Sequence, residues 1–360
     1  MITILDKINR FVTQFNPVDG FYIRSGIIDE NGKDSGIDPF MAEFPHLVDV
    51  GIMGSCEHGL SGLCMKSGSG CYQNGASVQR PDMTFDDFKS IIKQCSGRTF
   101  QFALGGRGDP NKHQDFEEIL KICRDNNIVP NYTTSGYNLS DSEVEVSKQY
   151  CGAVAVSWYR RDYTADAIQR FIAAGVKTNI HYVVNRNTIE EAIERMKKGD
   201  FPEDINAVVF LLYKPIGQGN AKNILTTDDE KTIEFFRQIE SSHLFKVGVD
   251  SCIAPGIITY GTEIAFETID TCDGGRFSCY IDSEMNMLPC SFGRYNQYSV
   301  SLKKMTIAEA WHSSEFDRFR DKLKNACFDC RHRDACMGGC PFLPEIVLCD
   351  EPERIASNKL

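Results

Sequence analysis

The chain has 360 residues, 42% apolar and 25% charged, with a formal net charge of −11. That is ordinary globular composition, long enough for a main domain and a smaller second one. The acidic balance weighs against nucleic acid, whose phosphates need a basic face, and no segment approaches the ~18 uninterrupted apolar residues of a membrane span. The first twenty residues, "MITILDKINRFVTQFNPVDG", lack a secretory apolar core, so the chain reads as cytoplasmic.

Residues 1–46 form an N-terminal extension. From 47 to 250, short β-rich runs alternate with amphipathic helical runs. The strands are "VDVGIM" (48–53), "TFQFALG" (99–105), "IVPNYTTS" (128–135), "AVAVSWY" (153–159), "TNIHYVV" (178–184), "AVVFLLYK" (207–214) and "LFKVGVD" (244–250). Between them, five runs such as "TFDDFKSIIKQC" and "TIEEAIERMKKG" repeat apolar residues at helical spacing. Thr84 with Asp86 and Asp87, and Thr188 with Glu190 and Glu191, read as helix starts with first-turn acids. Such alternation predicts parallel strands with right-handed crossovers. Six or seven units make an α/β partial barrel, whose active site lies at the C-terminal ends of the strands.

That placement draws attention to "CEHGLSGLCMKSGSGC" (56–71), which follows the first strand and holds Cys56, Cys64 and Cys71 among glycines and serines. In a reducing compartment, clustered cysteines are metal ligands or catalytic thiols more often than disulfides. The chain has fifteen in all, an odd number. His58, within the loop, reads as a solvated side chain. Cys95 and Cys123 lie on helical runs and Cys151 begins a strand, so these three read as small buried hydrophobes. Tyr132, Tyr182 and Tyr213 read as core residues, and His181 points either into the barrel or out of it.

From 251 to 360 the alternation stops and no long periodic segment is evident. A region unable to bury a core needs staples, which here would be metal sites. Its tail reads Cys327-x2-Cys330-x5-Cys336-x3-Cys340-x8-Cys349, with Cys272, Cys279 and Cys290 upstream. A zinc ribbon would use four thiolates. Eight thiols fit two four-cysteine iron–sulfur sites better.

This cysteine pattern closely resembles the SPASM domain, and the barrel with its cysteine loop resembles the radical SAM core, so the likeness covers residues 45–350. The resemblance implies three 4Fe–4S clusters. One would be held by Cys56, Cys64 and Cys71 with an iron position left open for S-adenosylmethionine. The usual family spacing is Cys-x3-Cys-x2-Cys, whereas this loop is Cys-x7-Cys-x6-Cys. The two auxiliary clusters would take Cys272, Cys279, Cys290 and Cys340, and Cys327, Cys330, Cys336 and Cys349. Cys252 is an alternative to Cys279, and Asn286 stands near a glycine of the pattern. "GGRGDP" resembles the family's glycine-rich segment, so Gly105, Gly106, Gly108 and Asp109 would contact S-adenosylmethionine. Ser157 resembles a ribose contact, and Asn185 and "KPIGQG" (214–219) are similar to further contacts.

The implied activity is reductive cleavage of S-adenosylmethionine to a 5′-deoxyadenosyl radical that abstracts hydrogen from a ribosomally made precursor peptide. The outcome would be a cross-link, an epimerisation or a backbone excision. The implied partners are that peptide, a separate leader-recognition protein and an electron donor such as flavodoxin or ferredoxin. A sulfatase-maturing, formylglycine-forming enzyme and a non-catalytic iron–sulfur or zinc scaffold are the alternatives.

Overall fold

The computed structural model describes residues 1–67, 70–263, 268–293, 297–327, 329–333 and 336–350. At the N-terminus β1 (Ile2–Asp6), β2 (Phe11–Phe15) and β3 (Tyr22–Arg24) make a small antiparallel sheet. It docks through aromatic rings: Phe15 sits 5.2 Å from Phe100, and Phe11 meets Phe277 edge-on at 6.1 Å. Phe100 immediately precedes a barrel strand, so the extension packs where the strands begin.

The main sheet starts with β4 (Leu47–Met53) and continues through β5 (Gln101–Gly106), β6 (Val129–Thr134), β7 (Val154–Ser157), β8 (Thr178–Val184), β9 (Ala207–Leu212) and β10 (Val247–Val249). Each strand pairs in parallel with the next in chain order. After the short α1 (Glu57–Leu60), the connecting helices are α2 (Phe85–Cys95), α3 (Phe116–Asp125), α4 (Asp141–Tyr150), α5 (Asp162–Ala173), α6 (Ile189–Lys198) and α7 (Glu230–Glu240), and α8 (Ala254–Tyr260) follows β10. The alternation expected from the sequence is therefore present, as an open α/β barrel.

Strand periodicity divides each strand between two environments. Val48, Val50 and Ile52, fully buried, belong to one apolar core with Phe88 and Ile91 of α2. Burying a side chain of this size stabilises by about 1.5–3 kcal/mol. On the opposite parity, Gln101, Asn131, Thr133, Asn179 and His181 line a lumen of about 340 Å³. His181 thus points inward, its Nδ1 3.3 Å from Thr133 Oγ1.

Local signals explain most helix ends. Thr84 Oγ1 accepts from the Asp87 amide, as its position suggests. Thr188 behaves otherwise: its hydroxyl donates to Val183 O and accepts from Asn185 N, tying the turn after β8 instead of capping α6.

The cysteine-rich segment departs from the sequence reading in two ways. First, β11 (Ser278–Ile281) pairs in parallel with β4, and β12 (Asn286–Leu288) and β13 (Val300–Ser301) extend the same sheet to ten strands. Second, α9 (Ile307–Trp311) and α10 (Ser314–Lys324) bring a core to this segment, with Trp311, Phe316 and Phe319 fully buried. Metal is therefore not its sole support. No helix among the described residues is long and apolar enough to cross a membrane.

Candidate cofactor site

Cys56, Cys64 and Cys71 come together at the C-terminal rim of β4, each within electrostatic reach of the others. Cys56 precedes α1 and its Sγ accepts the Gly59 amide at 3.0 Å, while Cys71 Sγ accepts the Gly75 amide at 3.4 Å. Gly75 packs closely on the first cysteine: a Cβ there would lie 3.0 Å from Cys56 Cβ and 3.3 Å from its Sγ, tighter than ordinary contact. Burial pushes the Cys56 thiol up to about 12, with the Gly59 amide opposing, and raises Cys64 as well. Their charged neighbours, Asp109 and the other thiols, only add to that rise. What would convert this set to thiolates is a cationic centre supplied from outside, and soft thiolate donors suit iron–sulfur iron. The three thiols fit such a group.

The loop is held by residues that sequence reading did not single out. Arg107 donates from Nε to Gln73 O and from Nη1 to Gly54 O, both at 3.0 Å, joining the two flanks of the loop. Gln218 N donates to Cys71 O at 3.0 Å, and a Cβ on Gly217 would lie 2.5 Å from that carbonyl. "KPIGQG" therefore grips the end of the cysteine loop. His58, expected in solvent, is only 3% exposed. Its Nε2 lies 2.7 Å from Tyr163 Oη, and Tyr137, Tyr159 and Tyr163 surround the ring. Burial lowers its pKa to about 4, so the ring is neutral near pH 7. Those tyrosines are about 80–105 positions away in the chain, beyond the reach of local patterning.

Gly105 and Gly106 end β5. Gly106 has φ +104 and would place a Cβ 2.7 Å from Gly51 Cα; at Gly108 a Cβ would meet Ser55 O at 2.1 Å. Their glycine identity follows from the close approach of this turn to the cysteine loop, whereas Gly105 faces open space. Asp109 is an internal anchor: one carboxylate oxygen accepts from Ser135 N at 2.8 Å and the other from Ser135 Oγ at 2.5 Å. Burial raises it to about 6 despite these bonds. Ser157 ends β7 in register with His181. Asn185, 1% exposed, accepts from Asn187 N and leaves its Nδ2 buried without a partner. An orphaned donor at the rim is what a bound acceptor would satisfy.

Among the described residues no cysteine is joined in a disulfide, and no three His, Cys, Asp or Glu side chains converge closely enough to grip a single ion. The cysteines beyond β10 sort into two groups. Cys272 lies in the field of Cys290 and Cys340, and Cys252 in that of Cys340 and Cys272. Burial pushes Cys272 up to about 12 and Cys290 up to about 11. A neighbouring pocket is lined by Cys327, Cys330, Cys336 and Cys349 together with Cys252 and Cys340. Here the Cys336 amide donates to His332 O at 2.8 Å and the His332 amide to Cys330 Sγ at 3.3 Å.

Cys279 is not brought to the first group. It sits on β11 in register with Val48, 1% exposed, on the helix-facing side, with Cys95, Asp49 and Arg320 as its charged or titratable neighbours. The strand's parity turns it away from Cys272 and Cys290. Cys95 and Cys123 are buried core residues, and Cys151 caps α4 instead of opening a strand. Tyr132 and Tyr182 are core residues as well, their hydroxyls bonded to Ser147 and to Thr188 O, and Tyr213 is buried.

Residues 272–331 match the family model of SPASM, an iron–sulfur cluster-binding domain. The chain carries a SPASM domain on a radical SAM fold. It is 21% identical over 301 residues to the mycofactocin maturase MftC of Mycolicibacterium smegmatis, an alignment covering 75% of this chain and 73% of that protein. Among solved structures it resembles Streptococcus suis SuiB bound to S-adenosylmethionine, with TM-score 0.62, 18% identity, and 86% of this chain and 77% of that one covered. It resembles SuiB bound to its precursor peptide SuiA with TM-score 0.63 and 17% identity, over 85% and 74% of the two chains. A third match is anSMEcpe with bound AdoMet, with TM-score 0.60 and 16% identity, over 88% of this chain and 91% of that one.

Proposed function

We propose that this SPASM protein is a radical SAM enzyme that modifies a ribosomally made precursor peptide. The observation that carries this reading is the set of three thiols at the rim of a parallel barrel, in a chain with a second set of thiols on its SPASM domain. Cys56, Cys64 and Cys71 would hold the cluster that leaves one iron open. Cys252, Cys272, Cys290 and Cys340 would hold one auxiliary cluster, and Cys327, Cys330, Cys336 and Cys349 the other. When bound, the first cluster supplies a single electron to S-adenosylmethionine, and the chain's part is to bind, orient and exclude water.

Several residues support that part. The open face at Gly105 and the unpartnered Asn185 amide are suited to the polar ends of S-adenosylmethionine. Gly106, Gly108 and Asp109 fix the turn that carries Gly105, and Ser157 lies on the same rim. Neutral His58 and its three tyrosines wall the cysteine loop. The polar lumen below would receive a peptide segment. Among the relatives, SuiB is described with a precursor peptide bound and MftC as a maturase, which favours peptide over small-molecule chemistry here.

The test is anaerobic reconstitution with iron and sulfide, reduction, and assay of S-adenosylmethionine cleavage with peptides encoded beside this gene. Formation of 5′-deoxyadenosine with a mass change in such a peptide supports the reading. A reconstituted, reduced protein that never cleaves S-adenosylmethionine overturns it.

A further inference from the structure

Lys214 lies two residues beyond β9 and its side chain is 1% exposed. Removing an ammonium from water costs several kcal/mol unless well-placed partners compensate. The partners here are spare. Nζ lies 3.4 Å from Asp250 Oδ2 and 3.4 Å from Leu212 O, long contacts for a buried cation, and 4.1 Å above the Phe292 ring. Asp250 Oδ2 is shared with the Leu212 amide at 3.2 Å, while its Oδ1 is buried with no partner.

What else faces this ammonium explains its position. Asp250 stands two residues before Cys252, and Phe292 two residues after Cys290. Lys214 feels Cys252, Cys340 and Cys290 directly, three of the four thiols of the first auxiliary group. Phe292 also stacks on Tyr72, centroids 4.6 Å apart, and Tyr72 follows Cys71. The lysine therefore sits at the junction between the cysteine loop and the SPASM thiols.

We infer that Lys214 is the fixed counter-charge of the iron–sulfur site held by Cys252, Cys272, Cys290 and Cys340, making that site easier to reduce than a neutral side chain would. A four-thiolate cluster is anionic and gains one more negative charge on reduction, so a nearby buried cation stabilises the reduced form more than the oxidised one. Asp250 opposes this and fixes the lysine in place. The inference rests on the ligand grouping proposed above. Lys214 is a positioning residue in this account and touches no reacting atom.

The experiment is an EPR-monitored redox titration of the reconstituted full chain, comparing the parent with Lys214→Met, Lys214→Arg and Asp250→Asn. Lys214→Met should lower the reduced-to-oxidised ratio of one auxiliary site at least about tenfold at fixed potential, a displacement of ~59 mV for one electron. The other centres should move less, since none of their thiols is among those Lys214 feels and Coulomb interaction weakens with distance. The displaced signal should be the one missing from Cys252→Ala. Lys214→Arg should restore the parent ratio, and Asp250→Asn should move it the opposite way. A fully loaded Lys214→Met with an unmoved ratio overturns the inference, as does an equal shift in every centre. Should Lys214→Met not fold, an unmoved ratio in Asp250→Asn overturns it. A parent that takes up no auxiliary iron would instead sink the ligand grouping, so the two failures are distinguishable.

Discussion

Cys252 and Cys279 offer a sharp comparison, because both are thiols upstream of Cys290, the first half-buried and the second buried, and the sequence alone allows either as a ligand. Cys252 shares its surroundings with Cys272 and Cys340, whereas Cys279 packs on the helix side of β11 beside Cys95. Replacing Cys252 with alanine removes one of four thiolates from its site, and reconstituted iron should fall from about twelve per chain to about eight, one four-iron cluster fewer. Replacing Cys279 with alanine removes one buried sulfur from a packed core. That costs about 1 kcal/mol, or ~1 °C in Tm for a chain of this size, and should leave iron unchanged. Iron and sulfide assay with Mössbauer spectroscopy, alongside thermal unfolding, reads both outcomes. Loss of four iron from Cys279→Ala with a fully loaded Cys252→Ala would refute the reasoning from strand parity.

Two further outcomes follow from the same structure. His46 is buried against Phe100 and hydrogen-bonds Tyr22 through Nδ1 at 3.1 Å, and burial lowers its pKa from 6.5 to about 4. The unfolded chain then takes up the proton first, so stability is fully present above pH 6.5 and declines as pH falls toward 4, by about 3 kcal/mol in all; His46→Gln should flatten that part of the profile relative to the parent in denaturant unfolding. Arg107→Met removes the side-chain donor to Gln73 O and leaves Gly54 O with the Arg80 amide alone, a loss of roughly 1.5–3 kcal/mol per charged hydrogen bond, and should speed chelator removal of about four iron several-fold while the other eight leave at the parent rate.

Much of the barrel was legible because β and helical periodicities alternate cleanly; β8 spans the residues its sequence suggests. The loop's importance was also legible, since three cysteines directly after the first strand lie at the rim by topology alone. Other features depend on tertiary context. The helix α4 buries only Val144 and Ser147, too little apolar periodicity to stand out. The strand β11 is four residues long and gains its meaning from pairing with β4. Counting eight thiols beyond residue 270 could not reveal that Cys279 sits on β11 beside Cys95, whereas Cys252, before the cysteine-rich run, lies near Cys272 and Cys340. Arg107 hid within a glycine-rich motif whose glycines draw the attention, yet its two backbone bonds hold the loop's flanks together.

Cys56, Cys64 and Cys71 are proposed to hold the cluster at which S-adenosylmethionine is cleaved. The most direct measurement changes all three to alanine and follows iron and 5′-deoxyadenosine in the reconstituted, reduced protein. The expected outcome is a folded chain that keeps about eight iron on its SPASM thiols and forms no 5′-deoxyadenosine. Deoxyadenosine formation near the parent rate, or an unchanged iron content, would contradict it.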